Sequence, residues 1–294
     1  MSGDSSTVTL LKNLFHTPHP VIGVVHLLPL PTSPRWGGDL EQVIARAEQE
    51  ATALATGGAN GIIVENYHDA PYCRGRVDPA VVSAMCVVVQ RLKTLVALPI
   101  GLNVLRNDGH SALGIAACVG AQFIRVNVLS GAMVTDQGLI EGDAHHLLRY
   151  RRELGTEVKI FADVLVKHAT PLGSTSLASA VMDTVERSLA DAIIISGWAT
   201  GQPPLLADLE CARELVPEVP LLIGSGATFE NIPTLIQAAD GVIVSTALKR
   251  VSKPLDPATK LLANGGLIDP IRVRAFVDAI QKRALMPALP VNHR

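Results

Sequence analysis

Eight short runs rich in Val, Ile and Ala, each followed by room for one helix, constrain this chain more than any other feature. They predict strands at Val21–His26, Gly61–Asn66, Ile100–Asn103, Phe123–Asn127, Val158–Asp163, Ala192–Ser196, Leu221–Gly224 and Gly241–Ser245, with starts 20 to 40 residues apart. Near-continuous apolar runs mark strands buried on both faces beneath helices. The segments between them carry helix signals. Leu40, Val43, Ile44, Ala47, Ala51 and Leu54 recur at helical spacing before Gly57-Gly58, and Asp78-Pro79 and Asp269-Pro270 read as a cap followed by proline at the first helical position. Eight such units without a break in composition predict an α/β fold, a single (β/α)8 TIM barrel over 21–285. A polar N-terminal tail (1–20) and a C-terminal tail (286–294) flank it. The competing architecture, an open doubly wound sheet, rarely needs eight such regular units.

Composition narrows the function. Of 294 residues 48% are hydrophobic and 18% charged, which excludes disorder over most of the length. A net charge of −2 argues against a dedicated nucleic-acid binder, which would carry a clustered basic excess. Cys73, Cys86, Cys118 and Cys211 lie far apart, so neither a disulfide framework nor a structural zinc site is expected. The first residues lack the basic and long apolar regions of a signal peptide. No run reaches the roughly 18–20 apolar residues that cross a bilayer, so membrane association is expected to be peripheral.

In a parallel barrel the chemistry gathers where the strands end. Those positions hold His26, Glu65, Asn66, Asn103, Asn127, Asp163, Ser196, Ser225 and Ser245. Polar groups ending buried strands are costly unless they bond to one another or bind something. A mutually bonded polar plug is one reading, and a binding or catalytic site is the favoured one. Glu65, Asp163 and His26 are the candidates for proton transfer. Asn66, Asn103, Asn127, Lys167 and Ser196 are the candidates for ligand contact. Gly224-Ser225-Gly226 and the turn at Ser245-Thr246 follow the last two strands, where such barrels often hold a phosphate. The competing explanation is that these glycines only make tight turns. His26, Glu65, His68, Asp69 and Asp163 could in principle ligate a divalent metal, but no local spacing identifies a metal or any cofactor. Trp36, Tyr67, Tyr72 and Trp198 follow the first, second or sixth strand, and so face the same end of the barrel. They suit either a planar ligand or lids packed on each other. Leu28 and Leu30, with Trp36, would be the exposed anchors of a protein contact. The Ser252–Ile268 loop reads equally as a lid or an oligomer contact.

The stretches VIGVVHLLPLPTSPRWGG, GIIVENYHDAPY, LPIGLNVLRND, FIRVNVLSGAMVTDQGLIEG, ADVLVKHATPLG, ISGWATG, IGSGA and ADGVIVSTALKR resemble the BtpA family from about Pro20 to Arg250. The likeness is to its cyanobacterial branch more than to the SgcQ-like branch. The resemblance implies a barrel fold and a part in photosystem I biogenesis. It further implies an extrinsic location on the cytoplasmic side of the thylakoid membrane, with photosystem I reaction-centre proteins or their assembly intermediates as partners. It supplies no reaction. A phosphorylated small molecule as ligand is the expectation from the strand ends, and TIM-barrel acid/base chemistry on a sugar- or nucleoside-phosphate is the alternative.

Overall fold

The structure, a computed structural model, describes residues 6–197, 201–250 and 266–284. Trp198, most of the Ser252–Ile268 loop and the C-terminal tail lie outside these residues.

The eight expected runs form β1 (Val21–His26), β2 (Gly61–Glu65), β3 (Ile100–Asn103), β4 (Phe123–Val126), β7 (Lys159–Val164), β9 (Ala192–Ile195), β10 (Leu221–Ile223) and β11 (Gly241–Val244). All pairs are parallel, and the barrel closes where β1 meets β11, with Val21 opposite Val242. Helices α2 (Leu40–Gly57), α3 (Pro79–Leu95), α4 (Gly109–Val119), α5 (Ala144–Glu153), α6 (Leu177–Met182), α7 (Leu206–Leu215), α8 (Ile232–Leu235) and α9 (Pro270–Ala284) lie in the connections between strands or after the last one. Local chemistry sets their ends. The Asp39 carboxylate accepts from Gln42 N at 3.2 Å to start α2, and Gly58 at φ 88° stops it.

Side-chain alternation sorts every barrel strand into two layers. Ile124 and Val126 pack into the large core shared with the helices, whereas Phe123 belongs to a second cluster with Ile22, Val24, Ile63, Phe161, Ile194, Leu222 and Ile243. That second cluster fills the barrel interior. Continuing its phase toward the strand ends reaches His26, Glu65, Asn103, Arg125, Asn127, Asp163, Ser196, Gly224 and Ser245. Asn66 and Ser225 fall in the opposite phase.

Two features differ from the sequence expectation. The N-terminal segment is no polar tail: Ser6–Phe15 forms α1, whose Leu11 and Phe15 are buried in the interior cluster. These two residues are one helical turn apart, which gives an otherwise polar segment one apolar edge. Phe15 meets Phe123 edge to face at 5.5 Å, and Gly61 leaves room for its ring. In addition, β5 (Ala132–Thr135), β6 (Gly138–Glu141) and β8 (Ala169–Pro171) form a separate antiparallel sheet from the loops after β4 and β7. Its inner side packs Met133 and Ile140 on Val128 and Val166, while Val134, Leu139 and Leu172 stay exposed. The signal was present in AMVT-DQ-GLIE, two alternating runs about a two-residue turn with Gly138 at φ 95°.

Candidate functional site

Register places His26 directly beside Glu65, and Glu65 beside Asn103. Asn103 Nδ2 donates to Glu65 Oε1 at 3.1 Å. Arg125, which the sequence reading passed over, spans the interior from Glu65 to Asp163. Its Nε and one terminal nitrogen each donate to Asp163 at 2.8 Å, and the other terminal nitrogen stands 3.5 Å from Glu65 Oε1. Asn127 Nδ2 donates to Asp163 Oδ2 at 2.8 Å, and Ser196 Oγ donates to Asp163 Oδ1 at 3.4 Å. Burial alone would disfavour the Arg125 charge, but Asp163 and then Glu65 more than offset it, so its pKa lies above the ordinary value. The missed signal was an arginine in the inward phase of an apolar strand, where an unpaired charge is not tolerated.

Exposure separates the two expected acids. The Asp163 side chain is 0% exposed and its oxygens are all engaged, whereas Glu65 is 8% and His26 15% exposed. Asp163 is the floor of the mouth, and Glu65 and His26 line it. That corrects the expectation of Asp163 as an accessible proton-transfer acid, because its carboxylate is consumed in fixing Arg125.

Two lysines complete the cluster. Lys249 Nζ approaches His26 Nδ1 at 3.3 Å, and Lys167 Nζ donates to Ser225 Oγ at 3.2 Å. Burial lowers both lysine pKa values, for Lys167 with the Arg125 charge adding to it. Arg106 holds the Lys167 loop by donating to the Lys167 carbonyl at 3.0 Å while pairing with Asp136 of the β5–β6 turn. Tyr67 stacks on His26 at 4.3 Å and receives the Tyr72 hydroxyl on its carbonyl. With His26 neutral, Arg125, Lys167 and Lys249 outnumber Glu65 and Asp163 by one positive charge. The adjoining Arg46–Glu50 pair, joined at 2.8 Å, adds no net charge, but its buried Glu50 carboxylate also faces Lys249.

Other expected residues have structural duties. Asn66, in the outward phase, receives Leu105 N at 2.7 Å and donates to Asp69, which receives Leu30 N at 2.7 Å. Asn66 therefore secures two loops and does not reach into the mouth. Leu30 is fully buried, and Leu28 and Trp36 are partly buried against the core, so this loop does not present the exposed anchors expected of it. A Cβ on Gly224 would fall 2.8 Å from Ser196 Oγ, and one on Gly226, at φ 70°, would fall 2.2 Å from the Gln202 backbone. On their Cβ side both glycines make room for the protein itself. Among the described residues Ser245 Oγ, Asn127 Oδ1 and Glu50 Oε2 are buried without a hydrogen-bond partner, while Thr246 is exposed. Among the described residues no group of three or more His, Cys, Asp or Glu side chains is arranged to hold a metal ion. Outside the mouth, a cleft of about 560 Å³ lies between the α4 start and the β5–β6 hairpin, with Arg74, Arg76 and His110 on its lining.

Burial, with charge from Lys249 and Arg46, holds His68 down to about 4, and burial with Lys249 holds His26 well below its ordinary value. The folded state thus binds fewer protons than the unfolded one below pH ~6.5, so stability falls as pH drops from there toward about 4. His68→Asn is expected to reduce the loss of urea midpoint between pH 7 and pH 5. An unchanged pH dependence would show that His68 titrates normally.

The BtpA family profile matches residues 17–282. A Synechocystis protein named "Photosystem I biogenesis protein BtpA" is 65% identical over 270 residues, covering 92% of this chain and 91% of the relative. The chain belongs to the BtpA family. An Escherichia coli member, "Putative sgc region protein SgcQ", is 29% identical over 92% of the chain and 97% of its own length. The identities place this BtpA-family chain nearer the cyanobacterial relative, as its motifs implied. Among solved structures, (S)-3-O-geranylgeranylglyceryl phosphate synthase from Thermoplasma acidophilum, in complex with sn-glycerol-1-phosphate, superposes with a TM-score of 0.58. It is 14% identical over 94% of this chain and 98% of the synthase, a likeness of barrel fold. No helix among the described residues is long and apolar enough to cross a membrane.

Proposed function

We propose that this BtpA-family protein is a photosystem I biogenesis factor, peripheral on the cytoplasmic face of the thylakoid membrane. In this reading it acts on reaction-centre proteins or their assembly intermediates while its barrel mouth binds a phosphorylated small molecule. The biological role rests on the 65% identity to the Synechocystis protein of that name. The ligand rests chiefly on one observation: four cations (Arg46, Arg125, Lys167 and Lys249) gather around three carboxylates (Glu50, Glu65 and Asp163), one of which is sealed beneath Arg125. A buried excess of positive charge is costly until an anion joins it. Lys167 with Ser225, and Lys249 with the Ser245 hydroxyl, which has no partner among the described residues, are the groups offered to a phosphate.

A cyanobacterial strain lacking the protein, complemented with wild type or Lys167→Met, tests the reading. Wild type is expected to restore photosystem I, and Lys167→Met, at equal folded abundance, to fail. Mass spectrometry of wild-type protein denatured after purification should release a phosphate ester that Lys167→Met does not carry. Full rescue by the variant would separate photosystem I supply from the mouth.

A further inference from the structure

We propose that the mouth is an acid–base centre in which Glu65 moves a proton at a carbon beside a carbonyl and His26 Nε2–H holds the carbonyl oxygen. The protein would then interconvert phosphorylated α-hydroxy aldehydes and ketones through an enediol. This rests on the reading of the mouth as a site for a phosphorylated ligand, and adds the reaction performed there.

The two carboxylates differ in what they have left to offer. Both Asp163 oxygens accept hydrogen bonds and the side chain has no exposure, so it cannot reach a substrate. Glu65 has one oxygen fixed by Asn103. Its other oxygen accepts no hydrogen bond among the described residues and stands 3.7 Å from His26 Nε2, beyond bonding distance. Fixing one oxygen orients the carboxylate while leaving the second free as a base.

His26 is prepared in a complementary way. An ammonium can only donate, so Lys249 at 3.3 Å makes Nδ1 the acceptor and leaves the ring hydrogen on Nε2, on the side of Glu65. Tyr67, stacked at 4.3 Å, holds the ring plane. Burial, Lys249 and His68 keep the imidazole neutral, the state in which Nε2–H serves as a donor to oxygen rather than as a fixed positive charge. The base and the donor therefore face a common space from adjacent, in-register strands. A hydroxycarbonyl compound presents the matching pair, a C–H to one and a carbonyl oxygen to the other.

The remaining groups fit the rest of such a molecule. Asn127 gives its amide hydrogen to Asp163 and keeps a buried Oδ1 with no partner among the described residues, which can accept from a sugar hydroxyl. Lys167 and Ser225 take the phosphate. The step balances without a cofactor. Glu65 takes the proton and the C–H electron pair becomes the C=C bond. The carbonyl π pair moves to oxygen, which is stabilised by His26 Nε2–H and protonated through it. Return of the proton from Glu65 to the former carbonyl carbon, with loss of the other hydroxyl proton back through His26, gives the isomer.

The test uses ribulose 5-phosphate, fructose 6-phosphate and dihydroxyacetone phosphate as probes, with binding and chemistry read separately. Titration calorimetry reports binding, and proton NMR in D2O reports exchange of the carbon-bound hydrogen beside the carbonyl. Wild type is expected to bind at least one probe and to exchange that hydrogen. Glu65→Gln should slow exchange by about 10²–10⁴-fold while affinity changes only a few-fold. Binding without exchange in wild type overturns the acid–base assignment and leaves the ligand reading standing. Exchange that survives Glu65→Gln, in protein of unchanged thermal midpoint, overturns Glu65 as the base. Binding of none of the three overturns the ligand class and this inference with it.

Discussion

Asp163→Asn is expected to cost about 3–5 kcal/mol of folding stability, because it leaves the Arg125 guanidinium buried without its bidentate partner. Glu65, 3.5 Å from the other terminal nitrogen and sharing that oxygen with Asn103, offsets only part of the charge. Urea unfolding of purified protein measures the loss. The double variant Arg125→Met/Asp163→Leu should recover most of it, since removing both charges removes the desolvation debt as well. If Asp163→Asn unfolds at the wild-type midpoint, the ion pair is not the floor of the mouth. A functional defect in Asp163→Asn is therefore uninterpretable without a stability measurement, and Glu65 is the better residue on which to test chemistry.

Phe15→Ala is expected to cost a comparable 3–5 kcal/mol, in the range of large aromatic deletions from a core. The side chain is 2% exposed, meets Phe123 at 5.5 Å and Phe161 at 6.4 Å, and sits where Gly61 has no Cβ. Its removal opens a cavity in the interior cluster, within rigid strands that collapse poorly. Thermal or urea unfolding checks the magnitude, and wild-type stability in the variant would show that α1 does not seal the barrel. Mouth variants and this one act through separate side chains, so their effects should add.

Much of the architecture was legible in the residues themselves. A strand such as Gly61–Glu65, apolar throughout until its last residue, can be satisfied only between two packed layers with its polar end at a mouth. The alternation in Phe123-Ile124-Arg125-Val126 also contained the inward placement of Arg125, and the AMVT-DQ-GLIE repeat contained the hairpin. Phase alone separates Glu65, which enters the mouth, from Asn66, which ties down Leu105. Local periodicity and capping are short-range properties, and a chain carries them wherever it goes.

What each polar group does in the mouth is of another kind. Lys249 meets His26 across 223 residues, and Arg125 meets Asp163 across 38. The first contact depends on the sheet closing at β1–β11, and the second on β4 pairing with β7 in the register that sets Arg125 opposite Phe161. Composition could supply the charges, but distance and burial decide which carboxylate is spent on a cation and which is left free. Thus the sequence by itself determined a barrel with a polar mouth and its family. Strand pairing and ring closure, which turn separate strand ends into neighbours in a low-dielectric space, decided that Asp163 is structural and that Glu65 and His26 line the mouth.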